Sequence, residues 1–139
     1  MKVSIVYWSG TGNTETMANL IKEGAESTGA EVSIKPVNEA NEADVLNADV
    51  AFLGCPSMGD EALEESEFEP YITKIEKSIN GKKLGLFGSY GWGSGQWMES
   101  WAERMKAAGA VLVGDSLIVN EAPSGDDAEK CKNFGKLRG

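Results

Sequence analysis

The sequence contains no histidine and only two cysteines, Cys55 and Cys131, which lie far apart along the chain. The commonest general base is therefore absent, and the cysteines have neither metal-ligand nor Cys-x-x-Cys spacing. We expect both thiols to be reduced and structural. No apolar run approaches the roughly 18 residues of a membrane-spanning helix, and the first residues lead into a predicted strand rather than a secretory signal. These absences argue against a zinc enzyme or a membrane protein and predict a cytoplasmic location.

Basic residues are also scarce, because 13 Lys and Arg stand against 22 Asp and Glu, which gives a net charge of −9. This charge repels nucleic acid and favours protein partners with basic docking faces. Six of the ten residues from 60 to 69 are acidic: Asp60, Glu61, Glu64, Glu65, Glu67 and Glu69. Two interpretations of this acidic segment stay open: a solvated start of a helix, or a charged surface that acts on a neighbouring site.

The order of apolar patterns along the chain predicts the fold class. Near-continuous apolar runs at residues 3–8, 50–54, 84–88, 111–113 and 117–119 are typical of parallel strands covered on both faces. Val32 and Ile34 alternate with polar residues before Pro36, which indicates an edge strand. Helical stripes lie between the strands, three of them closed by Gly29, Gly81 and Gly109. The alternation predicts an α/β fold with a five-stranded parallel sheet in the order 2-1-3-4-5, helices on both faces, and one domain over residues 1–139.

The loop after the first strand reads Ser9-Gly10-Thr11-Gly12-Asn13-Thr14 and contains no cation. A strand-to-helix turn of this composition can surround a phosphate with backbone N–H groups at a helix N-terminus. It lacks the Gly-Lys-Ser/Thr of a nucleotide-hydrolysing P-loop, and Glu15 stands where the dinucleotide fingerprint has its third glycine. The loop therefore favours a phosphate monoester over ATP or a dinucleotide.

Two further loops are expected at the same end of the sheet, at residues 55–61 and 89–96. The third loop carries three glycines around Trp92, so it can present backbone N–H groups to a planar ligand while the indole stacks on it. The second loop combines Pro56, the apolar Met58 and Gly59. Together with the phosphate loop, they predict a slot for a flat phosphorylated heterocycle, and FMN is the natural candidate.

These same segments resemble the short-chain flavodoxins of anaerobic bacteria. The resemblance is carried by residues 9–14, 58–61, 64–70, 87–93 and 118–121, and it is collinear over essentially the whole chain. One departure is Pro56, which stands where some relatives have a serine that reaches the phosphate. The chain also lacks the long insertion in the fifth strand of long-chain relatives.

The resemblance implies a role for most of the candidate residues. Ser9, Thr11, Asn13 and Thr14 would donate to the FMN phosphate, Gly10 and Gly12 would permit its close approach, and Ser89 would lie nearby. Trp92 would stack on the outer flavin face, Met58 would contact the inner one, and Gly91, Trp92 and Gly93 would meet the pyrimidine O2 region. Glu61 would accept from flavin N3–H, Asn120 would contact the ribityl chain, and Gly59 would offer its carbonyl to reduced N5–H. Ser57, Asp60 and Tyr90, in the same loops, complete the expected set.

The function that follows is that of a low-potential one-electron carrier, shuttling FMN between semiquinone and hydroquinone in place of a ferredoxin. The carboxylates of the acidic segment would destabilise the hydroquinone anion by charge repulsion and would attract redox partners with basic faces. We expect the protein to be a monomer. One alternative is an FMN-dependent reductase of quinones or of a metallocofactor partner. A response regulator of the same fold would need carboxylates where this chain has Tyr7, Trp8 and Cys55.

Overall fold

A parallel sheet forms the centre of the protein, whose computed structural model describes residues 1–58, 61–91 and 93–138. The strands are β1 (Lys2–Tyr7), β2 (Glu31–Pro36), β3 (Val50–Gly54), β4 (Lys83–Tyr90), β5 (Val111–Leu112) and β6 (Leu117–Asn120). Their order is β2-β1-β3-β4-β5, and β6 also pairs with β4. The predicted order is therefore confirmed, and the structure adds a sixth strand.

The fifth position of the sheet is shared by two short strands. Lys83 and Leu84 pair with β5, whereas residues 87–90 pair with β6. Phe87 pairs with Gly54 on one side and with Leu117 on the other, so β5 and β6 follow one another along the same side of β4.

In the part of the chain that the structure describes, five α-helices cover the two faces of the sheet. They are α1 (Asn13–Glu26), α2 (Glu42–Leu46), α3 (Phe68–Ile75), α4 (Gln96–Ala107) and α5 (Asp126–Phe134), with a short 3-10 helix at Val37–Glu39. Helices α1 and α5 bury Met17, Ile21 and Phe134 against one face. Helices α2, α3 and α4 bury residues such as Ile72 and Trp101 against the other. Both faces are covered because the central strands are apolar at nearly every position.

Helices α1 and α5 approach each other closely through small residues. A Cβ atom on Gly24 of α1 would lie 1.8 Å from the carbonyl oxygen of Lys132. A Cβ on Gly135 would lie 2.1 Å from the carbonyl oxygen of Ile21. Glycine at both positions is therefore what allows the two helices to pack at this distance.

Two elements differ in length from their sequence patterns. Strand β4 continues through Tyr90, past the predicted end at Gly88, because β6 supplies backbone partners for its last residues. Helix α3 ends at Ile75, although Ile79 continues the apolar stripe and is fully buried. Gly29, Gly81 and Gly109 all have positive φ after helical segments, as their placement predicted.

Candidate cofactor site

Three loops meet at the carboxyl ends of β1, β3 and β4, where open α/β sheets bind their ligands. They enclose a cleft of about 240 Å³. Its described lining consists of Trp8, Gly10, Thr11, Asn13, Pro56, Ser57, Met58, Ser89, Tyr90, Gly91 and Glu121. The structure thus brings residues of all three sequence-predicted loops to one place. Gly59, Asp60 and Trp92 lie outside the described residues.

The loop between β1 and α1 presents free backbone donors. Ser9 Oγ accepts from the amides of Gly12 and Glu15 at 3.1 and 3.3 Å, which holds the turn in shape. Gly12 has φ 98, and no atom lies within 4 Å of the position that a Cβ would take there, so this turn has open space beside it. Within the described residues, no acceptor is found for the backbone amides of Gly10, Thr11, Asn13 and Thr14. Four unpaired amides at a helix N-terminus fit an anion such as the FMN phosphate.

In the loop after β3, the described residues 55–58 and 61–64 form the two sides of a small hairpin, which we call the cleft hairpin. Met58 and Ala62 exchange backbone hydrogen bonds of 3.0 and 3.3 Å. At the base, Cys55 Sγ accepts from the Glu64 amide at 3.5 Å, and the Cys55 carbonyl accepts from Trp97 Nε1 at 3.2 Å. Of its described residues, Pro56, Ser57 and Met58 line the cleft.

Ser89 joins the three loops through its backbone and hydroxyl groups. Its amide donates to Thr14 Oγ1 at 3.4 Å, and its carbonyl accepts from the Ser57 amide at 3.1 Å. The hydroxyl donates to the Glu121 carbonyl at 2.7 Å. In this structure the Thr14 and Ser89 hydroxyls are therefore used to hold the loops together.

Glu61 connects the cleft hairpin to the start of α4. Its Oε1 accepts from the amides of Gly95 and Gln96, both at 3.1 Å. A Cβ on Gly93 would lie 2.6 Å from the same oxygen, so glycine is needed for this close approach. The carboxylate thus caps helix α4, a role that its position in the acidic segment did not reveal.

Glu121 is a cleft residue that sequence reasoning missed. It has φ 60, its amide donates to the Tyr90 carbonyl at 2.8 Å, and its Oε1 lies 3.3 Å from a Cβ position on Gly91. The neighbouring Asn120 is exposed, and its Nδ2 donates to the Tyr90 carbonyl at 3.3 Å. A positive φ at a glutamate leaves no mark in a single sequence, so only the structure could place this carboxylate in the cleft.

The members of the acidic segment differ in their surroundings. Glu65 and Glu67 are exposed, and Glu67 Oε1 accepts from Trp8 Nε1 at 3.2 Å. Glu69 is paired with Arg104 of α4 through two contacts of 2.7 and 2.8 Å, and this pairing lowers the pKa of its carboxyl. Glu64 is buried. The segment is therefore neither wholly solvated nor wholly a charged surface.

Both cysteines are chemically inert in the fold. Burial raises the pKa of the Cys55 thiol to about 12 and that of Cys131 to about 11. Both are free and buried. The thiolate is the reactive form, so neither residue offers redox chemistry of its own at neutral pH.

Comparison with known proteins agrees with this arrangement. The flavodoxin family model matches residues 5–135. The chain is 51% identical over 134 residues to a flavodoxin of Megasphaera elsdenii and 53% identical over 135 residues to one of Clostridium beijerinckii, covering 96% of each chain in both cases. The solution structure of the two-electron reduced Megasphaera elsdenii flavodoxin superimposes with a TM-score of 0.88 at 49% identity, covering 96% of both chains.

A parallel sheet in the order 2-1-3-4-5 with its loop cleft at the carboxyl ends of the strands defines the doubly wound, flavodoxin-like class of α/β proteins. Within that class, the chain belongs to the flavodoxin family. Flavodoxins carry electrons to and from redox partners and are not enzymes, so the reductase alternative is not favoured. None of the helices in the described part of the chain is long and apolar enough to cross a membrane.

Proposed function

We propose that this chain is a low-potential one-electron carrier that holds one FMN within a single domain, residues 1–139, and replaces a ferredoxin in the cytoplasm. The observation that carries the proposal is the set of four amides, at Gly10, Thr11, Asn13 and Thr14, that have no acceptor among the described residues and lie in the loop that borders the cleft. A phosphate monoester supplies the acceptors that these donors lack. FMN, when bound, supplies the redox chemistry, and the protein supplies binding, orientation and electrostatics.

The proposed binding residues come from all three loops. They are Ser9, Gly10, Thr11, Gly12, Asn13, Thr14, Ser57, Met58, Gly59, Asp60, Glu61, Ser89, Tyr90, Gly91, Trp92, Gly93 and Asn120. Support for Gly59, Asp60 and Trp92 comes from the sequence alone. For Met58, Ser89 and Gly91, support comes from their place in the cleft lining. We add Glu121, which lines the same cleft.

We infer that redox partners with basic surfaces dock at the acidic side of the cleft. We also infer that the protein to which they bind is a monomer. The net charge of −9 and the exposed Glu65 and Glu67 support these inferences. A potential of one sign over a surface raises the association rate with an oppositely charged partner by roughly 10 to 1,000 times. Electron transfer through a short-lived complex needs such steering more than it needs tight binding.

A matched pair of glycine substitutions tests whether the loop of residues 9–14 binds the phosphate. Gly12 and Gly29 have φ 98 and 86, and neither has an atom within 4 Å of a Cβ position, but only Gly12 lies in the cleft loop. Alanine at either site strains the backbone by about 1 kcal/mol. We expect Gly12→Ala to weaken FMN binding at least tenfold, or about 1.4 kcal/mol, because the amides that follow it shift. Gly29→Ala leaves FMN affinity unchanged.

Riboflavin, which lacks the phosphate, is the matched control ligand, and binding is followed by flavin fluorescence. Its affinity should change little in Gly12→Ala. An equal loss of affinity for FMN and riboflavin would contradict phosphate binding at this loop. Potentiometric titration of the FMN complex should then give two separate one-electron couples, whereas a single two-electron couple would contradict the carrier function.

A further inference from the structure

Among the described residues of the acidic segment, Glu64 is the buried one, and it lies at the base of the cleft hairpin. It is 7% exposed, although it belongs to the most acidic stretch of the chain. Taking a carboxylate out of water is expensive unless hydrogen bonds replace the lost hydration. Its contacts therefore indicate what the charge is used for.

The Glu64 carboxylate accepts hydrogen bonds from the residues that follow it. Oε1 accepts from the amides of Glu67 and Phe68 at 2.8 and 2.9 Å. Oε2 accepts from the Ser66 amide at 2.9 Å and also from the Ser66 hydroxyl. Burial by itself raises the pKa of this carboxyl, but the four hydrogen bonds together lower it to about 2. The group is thus a charged internal anchor at the start of α3.

The same residue closes the cleft hairpin through its backbone. The Glu64 amide donates to Cys55 Sγ, and the Cys55 carbonyl is in turn held by Trp97 of α4. The next rung of the hairpin is the pair of bonds between Met58 and Ala62. Glu64 therefore joins three parts: the end of β3, the hairpin, and the first turn of α3.

We propose that Glu64 is a positioning residue for electron transfer, whose buried carboxylate fixes the base of the cleft hairpin and so keeps the two one-electron couples of the bound cofactor apart. The proposal rests on the proposed function, because it needs a cofactor in the cleft. The two couples separate when a contact between the hairpin and the cofactor is stronger in one oxidation state than in the others. If the hairpin is already ordered before the cofactor binds, that contact costs less conformational entropy and is therefore stronger.

We call the four hydrogen bonds that the Glu64 carboxylate accepts from Ser66, Glu67 and Phe68 the clamp. Three variants separate the loss of the clamp from the loss of a charge. Glu64→Gln loses both the charge and most of the clamp. Ser66→Ala loses one clamp contact and no charge, and Glu65→Gln loses an exposed charge one residue away and no clamp contact. Because Ser66→Ala is a mild change at an exposed site, it keeps the test available if Glu64→Gln does not fold.

The first readout needs no cofactor: amide hydrogen exchange of the apoprotein at Glu67 and Phe68. The second is the comproportionation constant of oxidised and fully reduced cofactor, from potentiometric titration. We expect Glu64→Gln to speed exchange at least tenfold and to lower this constant at least tenfold, which narrows the gap between the couples by about 59 mV. Ser66→Ala should change both in the same direction by a smaller factor. Glu65→Gln should leave exchange unchanged and lower the constant less than threefold.

Two results would overturn the proposal. Equal changes of the constant in Glu64→Gln and Glu65→Gln, with Ser66→Ala unchanged, would mean that Glu64 acts only through its charge. Faster exchange with an unaltered constant would make Glu64 a helix anchor without influence on the cofactor. Failure of the proposed function is distinct from both, because it appears in the wild type as no FMN bound or as the absence of two couples.

Discussion

Two glutamates have a backbone conformation that side chains avoid, and both lie where the cleft loops meet. Glu61 and Glu121 have φ 52 and 60, and they are the non-glycine residues with positive φ among those the structure describes. Each such residue costs roughly 1 kcal/mol or more relative to a relaxed backbone. The strained backbone positions thus lie next to the proposed cofactor site, where the loops must adopt a particular conformation.

The strain at Glu121 leads to a prediction for stability. Asparagine tolerates positive φ better than glutamate does, so Glu121→Asn should raise the unfolding free energy of the apoprotein by about 0.5–1 kcal/mol. Urea denaturation measures this change. Glu103→Asn, within helix α4, is the control and should lower stability by a few tenths of a kcal/mol through helix propensity. A loss of stability in Glu121→Asn would mean that the Glu121 side chain contributes more than its backbone costs.

The Glu64 carboxyl predicts a particular pH dependence. Its pKa is about 2 in the folded protein against 4.5 as the ordinary value, so its stabilising contribution is complete above pH 4.5 and is lost as the pH falls towards 2. Between pH 5 and pH 3 we expect this residue to account for a loss of about 2 kcal/mol of unfolding free energy. The comparison is urea unfolding at both pH values for wild type and Glu64→Gln. An identical loss in the two proteins would show that other carboxyls are responsible.

At the scale of elements, the contact between α1 and α5 should be sensitive to one methyl group. Gly24→Ala places a Cβ on the carbonyl oxygen of Lys132, and backbone cannot move aside cheaply. We expect a loss of about 3 kcal/mol of unfolding free energy, measured by denaturant unfolding of the apoprotein. Gly29→Ala, just beyond the same helix, should cost about 1 kcal/mol. Similar losses in both variants would contradict a close approach of the helices.

The elements were largely predictable because each has a local cause. Continuous apolar runs predicted the central strands, and glycines with positive φ follow helical segments at the predicted places. The extension of β4 through Tyr90 was not predictable, because it depends on pairing with β6, which is distant in sequence. The early end of α3 at Ile75 was missed for a similar reason, since a buried Ile79 continues the helical pattern without being in the helix.

The candidate site shows the same division between local and tertiary causes. Composition alone indicated a glycine- and hydroxyl-rich loop at residues 9–14 between a strand and a helix, and Gly10, Thr11 and Asn13 line the cleft. Its binding of an anion stays a prediction. The acidic segment looked uniform in the sequence, yet Glu64 is buried, Glu61 caps α4 and Glu69 is paired with Arg104. The contacts of Glu61 and Glu69 are with α4, which is distant in sequence, so a single sequence does not show them. The Glu64 carboxylate instead binds the residues that follow it in the chain.

At the scale of the whole molecule, the net charge of −9 predicts opposite salt effects on two reactions. Electron transfer to a redox protein with a basic face should slow at least tenfold between low salt and about 0.5 M salt, because screening removes the attraction. Electron exchange between two copies of this protein should become faster over the same range, because screening removes their repulsion. Stopped-flow spectroscopy measures both rates. Equal salt effects of the same sign would argue against electrostatic steering.

The outer strands of the sheet also bear on how the protein behaves when concentrated. An unpaired strand is a template on which another chain can add its own strand and start a fibril. Here β2 has Glu31 and Lys35 and ends at Pro36, which has no amide to donate, and β5 consists of only two residues before the chain turns into β6. Neither border offers a long flat template. The division of the fifth sheet position into two short strands thus lowers the tendency of this edge to aggregate.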